Sequence, residues 1–186
     1  MVSIFSVEDI IIVNCSFENS VGTALGVFYS NLHLHGNSFT NNCNGQSSKS
    51  HERLGTGILT INNTLAIHAY NSTLNFIGSI LFGDNSAEYG GGIKARNSIL
   101  NFTGDITFRN NSAKYGGGIY ACSSILNFMG NVTFEENSAE YGGGISALNS
   151  TLNFHGSSSF TDNTAEYNGG AINVQNSTLP LNSQVM

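Results

Sequence analysis

The sequence predicts an all-β fold, a parallel β-solenoid of stacked coils, on three observations. The chain repeats itself with a period of 26: Phe82, Phe108, Phe134 and Phe160 mark successive copies of a unit that starts at Asn71. Within each copy apolar side chains alternate with period two, as in Leu74 and Phe76, Ile80 and Phe82, and Ile93 and Ala95, which is strand spacing and not helix spacing. Finally, 22 glycines and 26 asparagines with one proline among 186 residues supply turns and disfavour helix.

The copies read NSTLNFIGSILFGDNSAEYGGGIKAR, NSILNFTGDITFRNNSAKYGGGIYAC, SSILNFMGNVTFEENSAEYGGGISAL and NSTLNFHGSSSFTDNTAEYNGGAINV. Residues 71–175 are therefore four regular rungs, and residues 176–186 begin another. The fourth copy holds one extra residue, so Ile172 follows Ile145 by 27. Three short strands and three turns close one coil of 26 residues, and successive coils stack at ~4.8 Å. Equivalent residues must then tolerate standing on one another. They do: Leu74, Leu100, Leu126 and Leu152; Phe76, Phe102, Phe128 and Phe154; the four phenylalanines that mark the period; and Ile93, Ile119, Ile145 and Ile172 form inward columns. Each buried member contributes roughly 1.5–3 kcal/mol, so the stack builds a core that no single coil could.

After the second strand, Asn85, Asn111, Asn137 and Asn163 form a structural ladder in which each amide donates to one copy and accepts from the next. Ala87, Ala113, Ala139 and Ala165 suit the small space inside that corner. Glycines 90–92 and their copies supply positive φ or close backbone approach where the chain swings into the third strand.

Residues 1–70 read as the same device in degenerate form. Phe17 and Phe39 are 22 apart, a shorter rung, and SNLHLHGNSFTNN from Ser30 matches the start of a regular copy with one residue deleted. The polar stretch 44–54 reads as a loop ejected from the coil. GTGILTI after it is a candidate third strand, and TLAIHAYNSTLNF holds more residues than one rung needs. By length, residues 1–186 form a single domain.

Phe160, Asn163, Gly169, Gly170, Ala171 and Ile172 spell Phe-x-x-Asn followed by Gly-Gly-Ala-Ile, and the other copies keep Phe-x-x-Asn but read Gly-Gly-Gly-Ile. Over residues 71–179 this pattern resembles the repeat of polymorphic outer membrane proteins and related pectin lyase-like β-helices. The resemblance implies a right-handed, single-stranded parallel β-helix. It also implies a secreted or surface-displayed rod with a structural or adhesive role, and it identifies no catalytic residue.

Twelve acidic against six basic residues, a formal charge of −6, work against nucleic acid as a partner. Disorder is excluded because 40% of the residues are hydrophobic and 10% charged. Leucine-rich repeats lack a place for the glycine triplet, and hexapeptide helices fail because 26 is not a multiple of six. Calcium-binding nonapeptide rolls need an aspartate after the glycines, and a phosphate loop needs Gly-Lys-Ser/Thr; neither is here.

The competing function is that of a polysaccharide lyase or hydrolase, activities that right-handed β-helices also host. Such chemistry needs acidic ligands clustered with basic residues, or paired carboxylates. Asp84, Glu136 and Asp162 share an outward column with Asn110, and Arg109, Glu135 and Thr161 share the next. Both read as solvated turns, with Arg109 and Glu135 as an exposed ion pair. The column Glu88, Lys114, Glu140 and Glu166 reads likewise, so the expectation is a non-catalytic module without cofactor. His33 and His35 share one strand face but lack a third ligand at suitable spacing, and His155 reads as a surface residue, so no metal site is predicted. Tyr89, Tyr115, Tyr141 and Tyr167 precede the glycines at a corner. Such a column either stacks a ligand such as a sugar or merely covers the glycine backbone, and the second reading is preferred.

Candidate N-glycosylation sequons occur at Asn14, Asn62, Asn71, Asn101, Asn110, Asn131, Asn149 and Asn176, where composition alone gives about five. They fit an extracellular or cell-surface protein. Cys15 and Cys43, in the two degenerate rungs, are a candidate pair that leaves Cys122 free. MVSIFSVEDI lacks the basic start of a signal peptide, and neither IIIVNCSF nor NSTLPLNSQVM resembles a polar cap over a terminal rung. The expectation is a piece of a longer rod. Its expected partners are adjacent rungs of a longer chain or a second copy end to end, with protein or glycan at the surface.

Overall fold

The computed structural model describes residues 2–20, 23–35, 37–40, 42 and 66–180, and every regular element among them is a β-strand. Strands pair in parallel, each with its equivalent one turn away, so Phe82, Phe108 and Phe134 stand in register, as do Leu74, Leu100 and Leu126. The chain is a parallel β-solenoid of six turns and the start of a seventh.

Three sheets run its length, one for each strand read from the alternation. The first contains Val2–Phe5, Leu25–Phe28, Ile67–Tyr70, Ile93–Arg96, Ile119–Cys122, Ile145–Leu148 and Ile172–Gln175. A second contains Ile10–Val13, Asn31–His35, Thr73–Ile77, Ile99–Phe102, Ile125–Phe128 and Thr151–Phe154. The third contains Ser16–Glu18, Ser38–Thr40, Ile80–Gly83, Ile106–Arg109, Val132–Glu135 and Ser158–Thr161. A fourth, shorter sheet was not anticipated: Ser86–Tyr89, Ser112–Tyr115, Ser138–Tyr141 and Thr164–Asn168 pair across the corner that carries the alanines. Its strands alternate only a small alanine and a tyrosine with polar residues, a weak apolar signal.

The degenerate turns keep the register. Phe17 lies beside Phe39, and Phe39 beside Phe82. The surplus in TLAIHAYNSTLNF resolves into two strands, since Ile67–Tyr70 aligns with Ile93–Arg96 and Thr73–Ile77 with Ile99–Phe102. The expected loop 44–54 and the candidate strand in GTGILTI lie outside the described residues. At the other end Thr178 bridges Thr151 and Leu179 packs on the core, so the seventh turn has begun.

The core is two stacks of aromatic rings inside an aliphatic wall. Phe39, Phe82, Phe108 and Phe134 are fully buried, and consecutive rings lie 4.7–5.0 Å apart between centroids. Phe76, Phe102, Phe128 and Phe154 form the second stack at 4.5–4.8 Å. Within each turn the two stacks meet edge to face at 6.0–6.2 Å, an orientation that aromatic quadrupoles favour. The ring spacing is that of the strands, so backbone pairing and aromatic stacking impose the same pitch.

Candidate functional site

Three polar ladders fix where outward side chains stand. In the corner before the fourth sheet, Asn85 gives one Nδ2 hydrogen to Oδ1 of Asn111 at 2.9 Å and the other to the Phe39 carbonyl at 3.0 Å. Asn42 feeds Oδ1 of Asn85 from below in the same way. A serine ladder runs between the first and second sheets: the amides of Ser30, Ser72, Ser98, Ser124 and Ser150 donate to the hydroxyl oxygen one turn on, at 3.0–3.2 Å. Each of those hydroxyls in turn donates to the carbonyl two residues before it, as Ser98 does to Arg96 at 2.8 Å. A second asparagine ladder, Asn75, Asn101, Asn127 and Asn153, lies half-buried on the outer face of the second sheet with 2.8 Å bonds. Neither the serine ladder nor this outer ladder was anticipated, although identical residues at the 26-residue period were the available signal.

Two outward columns turn through left-handed backbone. Asn71, Asn97, Ser123, Asn149 and Asn176 have φ of 47–52°, and Asp84, Asn110, Glu136 and Asp162 have φ of 51–56°. Asparagine and aspartate tolerate this region better than other residues with a Cβ. Asparagine in the turn, ladder serine next and strand-forming threonine after it spell Asn-Ser-Thr at 71–73, 149–151 and 176–178, so fold geometry explains part of the sequon excess. Asn14, Asn71, Asn110, Asn131, Asn149 and Asn176 are exposed. Asn101 is committed to the outer ladder, and Asn62 lies outside the described residues.

The tyrosine column stands where the sequence places it. Tyr89, Tyr115 and Tyr141 stack at 5.1–5.2 Å with planes 9–10° apart, so the facing surfaces of adjacent rings cover one another. Tyr167 tilts by 35° against Tyr141 and is 59% exposed. Lys94 lies over Tyr89 with its Nζ 4.9 Å from the ring centre, and the edge of Tyr120 approaches Tyr89 at 5.0 Å. Burial above all, with the Cys122 thiol and Tyr89 adding, pushes the Tyr120 hydroxyl up to about 12. In the glycine triplet that follows the column, a Cβ on Gly117 would lie 2.3 Å from the Gly143 carbonyl oxygen, which is why that position is glycine.

The charged columns lie at the surface. Arg109 Nε is 4.0 Å from Glu135 and 3.7 Å from Glu136, and Lys114 is 3.8 Å from Glu140. Such exposed pairs contribute little. Asn110 donates to Asp84 and Asn131 to Asp105. His33 and His35 share an outer face, His33 lies 3.9 Å from Asp9, and His155 is exposed. Among the described residues no three of His, Cys, Asp and Glu come together. Cys15 is exposed, Cys122 is a half-buried free thiol, and Cys43, the suggested partner of Cys15, lies outside the described residues.

His68 escaped the sequence reading because it shares an outward column with Lys94 and Tyr120. It is nonetheless buried, edge-on to Phe28 at 5.4 Å, and its Nε2 has no hydrogen-bond partner among the described residues. Burial pushes its pKa down to about 3, and the charges of Lys94 and Arg96 add to the effect.

Stacked ladders, aromatic stacks and an outer surface of repeated columns define a repeat protein of the parallel β-solenoid class. Residues 105–122, 131–148 and 157–175 match the family model of the Chlamydia polymorphic membrane protein repeat. Each segment runs from the third sheet through the asparagine ladder and tyrosine corner into the first sheet, so the chain carries repeats similar to those of that membrane-protein family. No curated protein and no solved structure matches the chain.

Proposed function

We propose that the chain is a non-catalytic β-solenoid module displayed at a cell surface, where it has a structural and adhesive role. The observation that supports this most is the match of three of its turns to a membrane-protein repeat. A stacked rod presents its outer columns at a fixed pitch of ~4.8 Å, which suits many weak contacts with a protein or glycan on another surface. The tyrosine column is a candidate for such a contact, and the exposed sequon asparagines are candidate glycan carriers. Parallel strands end in unpaired edges, and adjacent rungs of a longer chain or a second copy end to end would complete them.

Protease added to intact cells that carry the native protein is expected to release peptides from residues 71–175. Release only after lysis contradicts surface display. Incubation with polygalacturonate and related glycans in calcium is expected to give no turnover. Cleavage that is lost on Arg109→Ala or Asp162→Asn would overturn the non-catalytic reading.

A further inference from the structure

We propose that Tyr89, Tyr115 and Tyr141 form a site of oxidative cross-linking, where one-electron oxidation joins the rings of adjacent turns as dityrosine. Tyr89 is the register partner of Tyr115, and Tyr115 of Tyr141. Their ring centroids lie 5.1–5.2 Å apart with planes 9–10° apart, so each ring lies face to face with the next. All three are half-buried, within reach of an oxidant at the surface. In the following turn the extra residue sets Asn168 beside Tyr141 and Tyr167 tilts by 35°, so the parallel stack holds three rings.

The oxidant is hydrogen peroxide acting through a haem peroxidase, which takes one electron at a time. Each of two tyrosines loses an electron and its hydroxyl proton and becomes a phenoxyl radical, whose unpaired spin is shared with the ring carbons ortho to oxygen. The two radicals couple through one ortho carbon of each, forming a carbon–carbon bond. The hydrogen on each coupled carbon then moves to its oxygen and restores the phenol. The two electrons and two protons reduce the peroxide, so two tyrosines and one peroxide give one dityrosine and two waters.

Register gives each radical a partner already at contact distance, where free tyrosines would have to collide. The ring centres of the coupled product are slightly closer than those of the stack, so closure asks for rotation about side-chain bonds and leaves the strand pairing in place. Tyr29 and Tyr70 are also neighbours, at 5.6 Å, but their planes cross at 83° and the ring faces do not overlap. Phe82, Phe108 and Phe134 stack as closely as the tyrosines but carry no hydroxyl to oxidise. Tyr115 has a stacked ring on each side, so either link can form first. Each link ties together turns that are one period apart and restricts the unfolded chain as a disulfide does. Oxidation thereby hardens the rod, and this chemistry does not depend on where the chain is displayed.

The test is exposure of the purified chain to a haem peroxidase and hydrogen peroxide, with Cys15, Cys43 and Cys122 replaced by serine so that thiols do not consume the oxidant. Dityrosine fluorescence is expected to appear in monomers, at a rate per chain that dilution of the protein does not change. Peptide mapping by mass spectrometry is expected to find Tyr89 joined to Tyr115, or Tyr115 to Tyr141, with two hydrogens lost per link. The linked chain is expected to unfold at a higher denaturant concentration than the unlinked one. Tyr115→Phe keeps a ring in the stack but removes the hydroxyl, and it leaves Tyr89 and Tyr141 two turns apart, so both links should vanish. Coupling that slows on dilution, equal coupling between Tyr29 and Tyr70, or a link from Tyr89 to Tyr141 in the variant would overturn the proposal. So would oxidation of the exposed Tyr29 with no link formed in the column.

Discussion

Asn111 and Asn137 share one oxygen: Oδ1 of Asn137 accepts from Nδ2 of Asn111 at 2.9 Å and from its backbone N–H at 3.0 Å. Nδ2 of Asn137 meanwhile satisfies the carbonyl of Phe108 at 2.9 Å. The side chain thus does in the corner what paired backbone does in the sheets, and it does so with both residues buried. Removing it strands three buried polar groups, each costing about 1–3 kcal/mol.

Asn137→Ala is accordingly expected to destabilise the chain by about 3 kcal/mol or more, whereas Asn127→Ala in the half-buried outer ladder, where water can replace the amide, costs under about 1. Chemical denaturation of the two variants beside the parent checks the contrast. Equal losses would mean that burial does not set the ladder's worth.

Phe134 is stacked on Phe108 at 4.7 Å and on Phe160 at 4.8 Å, with no exposed surface. Phe134→Ala should cost about 3–5 kcal/mol, typical of a large aromatic lost from a packed core. Phe160→Ala, in a half-buried position, should cost less. Unfolding midpoints measure both, and a loss under about 1 kcal/mol at Phe134 would place its ring outside the core.

Ser158 occupies the core column of Ile106 and Val132, and its buried hydroxyl has no hydrogen-bond partner among the described residues. Ser158→Val restores the apolar column and removes that orphan, so it is expected to raise stability by about 1 kcal/mol. A thermal or denaturant melt reads the gain; a loss of stability would show that the hydroxyl is satisfied in solution.

His68 makes stability pH-dependent. Its folded-state pKa is depressed from 6.5 to about 3, so between those values the unfolded chain binds a proton that the folded chain excludes. The folded state therefore has its full advantage above 6.5 and loses it progressively as pH falls toward about 3. Denaturation at several pH values in this window should show a decline that His68→Phe makes shallower, since carboxylates titrating in the same range are common to both proteins. An identical decline in the variant would mean that His68 is hydrated.

Much of the fold was legible because a solenoid writes its contacts as periodicity. Leu100 over Leu126 and Phe108 over Phe134 are neighbours in space because they are one period apart in sequence. What stayed hidden was polar. Ser98 and Ser124 read as turn residues, since nothing local distinguishes a serine bonded to its counterpart from one facing water. The strand Ser86–Tyr89 alternates only the small Ala87 and Tyr89 with polar residues, a weak signal at a corner that the asparagine ladder holds. His68 gives no sequence signal because occupants of its column differ in size and charge, so its burial depends on neighbours such as Phe28 that lie outside the repeat. The tyrosine column was visible as a column, but ring orientation decides what it offers a ligand, and orientation is not in the sequence.

Vertical adjacency at one period is tested most directly by paired cysteines at Thr107 and Thr133, which are register partners on the outer side of the third sheet. In a background with Cys15, Cys43 and Cys122 replaced by serine, mild oxidation should join Thr107→Cys to Thr133→Cys rapidly within one chain, because register partners stand ~4.8 Å apart. Thr107→Cys with Ser159→Cys, two turns away, should stay reduced. Efficient closure of the two-turn pair, or none of the one-turn pair, would contradict the solenoid.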